Sequence, residues 1–141
     1  MEEGRTLDLS DEQMRKLGLA GGLMARIAKV DEIVSESELE AMVQIIADSW
    51  DLDHDTAVFV ANVAVSSLDV TYDYYRMTRE FATSTNLQER QNLLVALFLI
   101  AGADEGISFD ETEEIRLVQR GINVSHQDFI DAKLRAKAIQ G

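Results

Sequence analysis

Residues 28–43 read AKVDEIVSESELEAMV, and the reading of the whole chain starts from this stretch. Ser35 and Glu38 stand three residues apart just before an apolar-periodic run. That is the spacing of a capping box, in which the serine hydroxyl accepts from an early helical N–H and the glutamate reaches back to the serine N–H. The run that follows places Leu39, Met42, Val43, Ile46, Ala47 and Trp50 at i, i+3, i+4, i+7, i+8 and i+11. One face of a helix is therefore apolar, and the spacing predicts a helix over 36–50.

Working outward, the same start signal recurs. Ser10 with Gln13, Asn86 with Glu89 and Ser108 with Glu111 repeat the box, and Asp53, Thr71 and Ser125 are simple N-cap candidates. The chain has no proline to interrupt a helix. No strand-period segment of useful length appears. The expected fold is all-α, with helices over 11–30, 36–50, 54–68, 72–82, 87–103, 109–120 and 126–139. Ile115, Val118 and Ile122 form a shorter apolar stripe, with Gly121 expected as its left-handed cap. The third and fifth helices are apolar on most sides and are expected to be central. Gly18 and Gly22 form a small-xxx-small pair around Gly21, which predicts close approach of a neighbouring helix. Tyr72, Tyr74 and Tyr75 read as packing in the fourth helix, with a partner-binding face as the alternative.

Composition narrows the function classes. The 141 residues fit one domain, 1–141, and 46% are hydrophobic, enough for a core without staples. There is no cysteine, which removes thiolate catalysis and zinc–thiolate sites and fits a cytoplasmic setting. The net charge is −13, from 26 acidic against 13 basic residues. Such a surface repels phosphate backbones and anionic lipid, so nucleic acid is not an expected partner. The longest apolar run, Leu93–Ala103, falls well short of the ~20 residues of a membrane span, so no direct membrane insertion is expected. The first residues lack the apolar core of a signal peptide.

An internal repeat organises the chain into halves at roughly 11–70 and 86–139. Residues 101–116 read AGADEGISFDETEEIR. At an offset of 73, Ala28 falls on Ala101, Asp31 on Asp104, Glu32 on Glu105, Ser35 on Ser108, Glu38 on Glu111 and Met42 on Ile115. One deletion later, His54 falls on His126. Five acids and no base lie between Asp31 and Glu40, and six acids and no base between Asp104 and Glu114.

Two readings of these acids stand. Acids at a helix N-terminus favour the helix dipole with no ligand involved. Adjacent acidic turns would also repel one another, and a hard divalent cation with oxygen ligands offsets that repulsion. Asp51-Leu52-Asp53-His54-Asp55 opens like a calcium loop but lacks its glycine and its final glutamate, so it reads as a helix cap. His54 and His126 read as surface positions, with a shared metal site as the alternative only if the fold brings them together. No nucleophile–base order, phosphate-binding loop or zinc-protease motif is present, and no enzymatic activity is expected.

The pattern D-x-x-[VI]-S-x-x-E occurs twice, as Asp31-Glu32-Ile33-Val34-Ser35-Glu36-Ser37-Glu38 and as Asp104-Glu105-Gly106-Ile107-Ser108-Phe109-Asp110-Glu111. In an all-helical chain of this length it resembles the TerB-like family, named for bacterial tellurite-resistance operons, with related domains in DnaJ-like co-chaperones. The resemblance runs from about Leu17 to Ala138. It implies a seven-helix fold with pseudo-two-fold halves and an acidic face that binds divalent cations, Ca²⁺, Mg²⁺ or Mn²⁺. The implied ligand positions are Asp31, Glu38, Asp104 and Glu111, with Glu32, Glu105 and Asp110 secondary. Family members usually carry Asp-Gly at the turn; here glutamate follows the aspartate in both copies. The expected role is a non-enzymatic, stress-associated domain that binds cations and engages protein partners. The alternative is a metal-free acidic scaffold that docks a basic protein surface.

Overall fold

A computed structural model of the chain describes residues 9–30, 34–67, 74–103 and 106–140. They form α1 (Asp11–Ala28), α2 (Glu36–Trp50), α3 (His54–Ser67), α4 (Tyr74–Ser84), α5 (Leu87–Ala101), α6 (Phe109–Gly121) and α7 (His126–Gln140). Among the described residues there is no strand. The fold is all-α, and each helix starts within two residues of its expected position.

The boundaries follow from the caps. All four expected capping boxes are closed in both directions, at Ser10–Gln13, Ser35–Glu38, Asn86–Glu89 and Ser108–Glu111. Ser125 Oγ accepts from the Asp128 N–H at 3.1 Å and caps α7. Asp53 precedes α3 and accepts a hydrogen bond from the Thr56 hydroxyl. Asp51 ends α2 in the left-handed conformation (φ 54°). The acidic run 51–55 thus serves one helix end and one helix start. Thr71 and Tyr72 lie outside the described residues, and Tyr75 is exposed.

Two helices carry the core. The second half of α1 buries Leu23, Met24, Ala25, Ile27 and Ala28, and α5 buries every residue from Leu93 to Phe98. They pack on each other, α3 covers α1, and α7 covers α5. Each half also packs its second helix on the other half's first, α2 on α5 and α6 on α1. These pairings recur in both halves, but α2 packs far more extensively on α3 than α6 does on α7. Lys16 in α1 bonds Glu89 in α5 at 3.1 Å, and these residues are 73 apart, the repeat offset itself. They are equivalent positions of the repeat in direct contact. Phe98 and Phe129, with ring centroids 5.4 Å apart, join α5 to α7.

Three expectations need correction. The third helix is peripheral: Ala57 and Ala61 are buried, but Phe59 and Val63 are 64% and 45% exposed. Its apolar outer face made it look central. Gly121 is not a left-handed cap, because α6 runs through it and the left-handed residue is Asn123 (φ 64°). Gly121 instead admits α4: a Cβ there would lie 2.7 Å from the Thr78 side chain. Gly22 faces only the flexible end of the Met77 side chain of α4, and Gly18 has no neighbour within 4 Å and is exposed.

These environments separate the glycines by sign. Gly18→Ala should raise stability by about 0.5–1 kcal/mol, from helix propensity alone. Gly121→Ala should lower it by about 1–3 kcal/mol, since the added Cβ meets the Cβ of buried Thr78 rather than a flexible chain end. Urea unfolding of both variants tests this, and equal shifts would refute the assignment of Gly121 as a contact glycine.

Candidate functional site

The two acidic turns connect α1 to α2 and α5 to α6. Asp31, Glu32, Asp104 and Glu105 lie outside the described residues, so the structure speaks to their flanks. On the α2 side the Ser35 N–H donates to Glu38 Oε1 at 3.0 Å, and the Glu38 N–H donates to Ser35 Oγ at 3.1 Å. On the α6 side the Ser108 N–H donates to Glu111 Oε1 at 2.9 Å, and the Glu111 N–H donates to Ser108 Oγ at 3.1 Å. Both glutamates are buried, at 5% and 3% exposure. That is unusual for a carboxylate. The cap provides the reason, since the backbone N–H groups at a helix start stabilise the buried negative charge.

Asp110 is exposed on the first turn of α6 beside Phe109, itself 77% exposed. Glu36 and Glu40 are also exposed. Glu114 and Glu113 are matched by bases that lie far away in sequence or one turn along. Glu114 pairs with Arg26 of α1, and Glu113 pairs with Arg116 at 3.5 Å. The Arg116 guanidinium also sits 5.3 Å from the Phe129 ring centre. The Arg26–Glu114 pair holds the last turn of α1 against the second turn of α6. The lead-in to the first acidic turn therefore lies beside the helix that the second turn opens.

Among the described residues, no group of three or more His, Cys, Asp or Glu side chains is arranged to hold a metal ion. His54 and His126 are exposed first residues of α3 and α7, and His126 stacks on Phe129 with ring centroids 6.1 Å apart. The caps engage Oε1 of both Glu38 and Glu111.

Sequence reasoning missed Arg26 and Glu114, which are 88 residues apart with no shared motif. It also missed Lys16–Glu89, although the repeat offset contained the signal. Glu89 has its carboxyl pushed below the usual range, chiefly by the Asn86 N–H. Burial opposes that effect, and the hydrogen bond and charge of Lys16 reinforce it.

The described residues define the class: an all-α domain of seven helices, in which a capping box repeats after each of two acidic turns. The family model described as tellurite resistance protein TerB matches residues 18–134, and the chain belongs to that family. It is a tellurite-resistance-like domain. No curated protein and no solved structure matches the chain significantly. Among the described residues no helix is long and apolar enough to cross a membrane.

The lowered Glu89 pKa has a defined sign in stability. A depressed carboxyl contributes above its unfolded value, about 4.3, and the contribution disappears as pH falls through the folded value. Glu89→Gln keeps the capping geometry and removes the charge. It should cost about 0.2–1 kcal/mol at pH 7, a figure limited by solvent screening of this partly exposed pair. The gap should close below about pH 4. Urea melts across pH 3–7 measure it, and a gap independent of pH would remove the ion pair from the account.

Proposed function

We propose that the chain is a non-enzymatic, stress-associated domain that binds a divalent cation at its paired acidic turns and acts through protein partners. The observation that carries this reading is the Arg26–Glu114 pair, which holds the approach to one acidic turn against the helix opened by the other. Two carboxylate-rich turns leaving the same region of a protein with net charge −13 create a field that a cation relieves. Asp31 and Asp104 are the main ligands in this reading. Glu38 and Glu111, fixed at the starts of α2 and α6, are further ligands, and Glu32, Glu105 and Asp110 complete the set. Ca²⁺, Mg²⁺ and Mn²⁺ all suit such oxygen ligands. Family membership supports the same assignment. The exposed Phe109 beside Asp110 supports a role in protein contact, since an aromatic at an acidic rim suits a partner surface of opposite charge.

A second reading, a metal-free acidic scaffold docking a basic partner, is favoured by one specific feature. Glu38 and Glu111 are already engaged as caps, and Arg26 and Arg116 match two of the remaining acids.

Thermal unfolding in EDTA and in millimolar Ca²⁺, Mg²⁺ or Mn²⁺ separates the two. At a hundred times the dissociation constant, a native-state ligand stabilises by about 2.7 kcal/mol. Asp104→Asn combined with Glu111→Gln, which preserves the capping geometry, should abolish the gain. A gain that survives in the double variant would place the cation elsewhere. No gain for any of the three ions would leave the scaffold reading standing.

A further inference from the structure

Toward the N-terminal ends of α1 and α5, where the C-terminal ends of α2 and α4 meet them, lies a cavity of about 380 Å³. That is inside the roughly 300–1,000 Å³ typical of small-molecule sites, which in bundles form between helices. Its walls include Ala20 and Met24 of α1, Leu93 and Ala96 of α5, and Phe81 of α4, with Trp50 at the end of α2. Gln13, Asn92, Ser49 and Thr85 add neutral polar groups.

Three charged side chains line it: Lys16, Glu89 and Asp51. Lys16 Nζ donates to both Glu89 carboxylate oxygens, at 3.1 and 3.4 Å, and Glu12 lies 3.8 Å away. Its charge is matched within the protein. Asp51 has no basic partner among the described residues, and the last turn of α2 holds no basic residue. The final carbonyls of a helix lack intrahelical partners and carry the negative end of its dipole. The α2 end of the cavity is therefore negative and rich in hydrogen-bond acceptors. An anionic ligand meets that field with the wrong sign, and a neutral ligand leaves it uncompensated. An ammonium group matches it, and Trp50 adds the ring type whose face attracts cations most strongly.

We propose that this cavity binds a small organic cation: a protonated amine on an apolar body about the size of an aromatic ring. The ammonium lies toward Asp51 and the end of α2, and the body lies against Met24, Phe81 and Leu93. This inference is independent of the metal reading, because no lining residue belongs to the acidic turns.

Trp50 is the only tryptophan in the chain, so its emission reports occupancy directly. The test titrates the full chain with 2-phenylethylamine in EDTA at physiological ionic strength. The uncharged 2-phenylethanol and the anionic 3-phenylpropionate serve as counterparts. The amine should give a saturable change, with affinity at least tenfold above either counterpart. Asp51→Asn keeps a residue that tolerates the left-handed cap and should lower amine affinity about tenfold. Asp131→Asn, an equal charge change on the exposed face of α7, should leave it unchanged. No saturable response to the amine, equal binding of all three compounds, or equal losses in the two variants would each overturn the proposal.

Discussion

The mutual burial of α1 and α5 is the constraint on which the other helices depend. Between Leu93 and Phe98 no face of α5 is open to solvent, and the second half of α1 is nearly as enclosed. A helix apolar all round has to be covered on every side. The covering elements come in equivalent sets: α3 and α2 from one half, α7 and α6 from the other. Lys16 and Glu89 fix the relation where the two helices start. One is a base and the other an acid at equivalent positions of the repeat, so the two halves meet here through an attractive pair. Identical charges there would have repelled.

α4 breaks the symmetry, and two glycines show how. Gly22 and Gly121 are positions where an added side chain would meet Met77 and Thr78 of α4. At the 73-residue offset their counterparts are Val95 and Asp48, which carry side chains. Only one side of the molecule was trimmed to receive the extra helix. Arg15 of α1 pairs with Glu80 of α4 at 3.4 Å and helps hold it there. Near the other half's equivalent helix end, where α2 finishes at Trp50 and Asp51, the space stays open as the cavity. The asymmetry of the packing is thus also an asymmetry of chemistry: a closed helix end at α6 and an accessible, negatively polarised one at α2. Arg90 supplies the closure at α6, donating to the Ile122 and Asn123 carbonyl oxygens at 3.2 and 3.3 Å.

What the sequence made legible was local. A capping box is decided within four residues, and Ser10, Ser35, Asn86 and Ser108 each close one as read. The stripe of α2 was legible too, with Met42, Val43 and Ile46 buried and Leu39, Ala47 and Trp50 packed against the core. What required distant partners was not. Composition cannot distinguish a helix buried on all sides from one with a free apolar face, and α3 was misread for that reason. Gly121 looked like a stop signal because its true partner, Thr78, lies in another helix. The second acidic cluster counted as baseless in one dimension, yet Arg26 reaches Glu114 across 88 residues. At the candidate site, the capping glutamates were recognisable from spacing. Their burial was not, since it depends on how α2 and α6 dock against the α1–α5 pair.

That burial bears on how the acidic turns work. A glutamate that closes a capping box accepts from a backbone N–H, and moving it costs the helix its start. Glu38 and Glu111 are therefore held in place before any ligand arrives, which is the condition for a preorganised ligand rather than a mobile one. In the cation-binding reading, the duplicated D-x-x-[VI]-S-x-x-E motif divides its labour. The serine and glutamate build a rigid helix start, and the aspartate four residues ahead of the serine supplies charge. In the scaffold reading the same rigidity presents Glu36, Glu40 and Asp110 at fixed places on the surface. Both readings need the cap intact, and they differ only in whether the opposing charge is an ion or a protein.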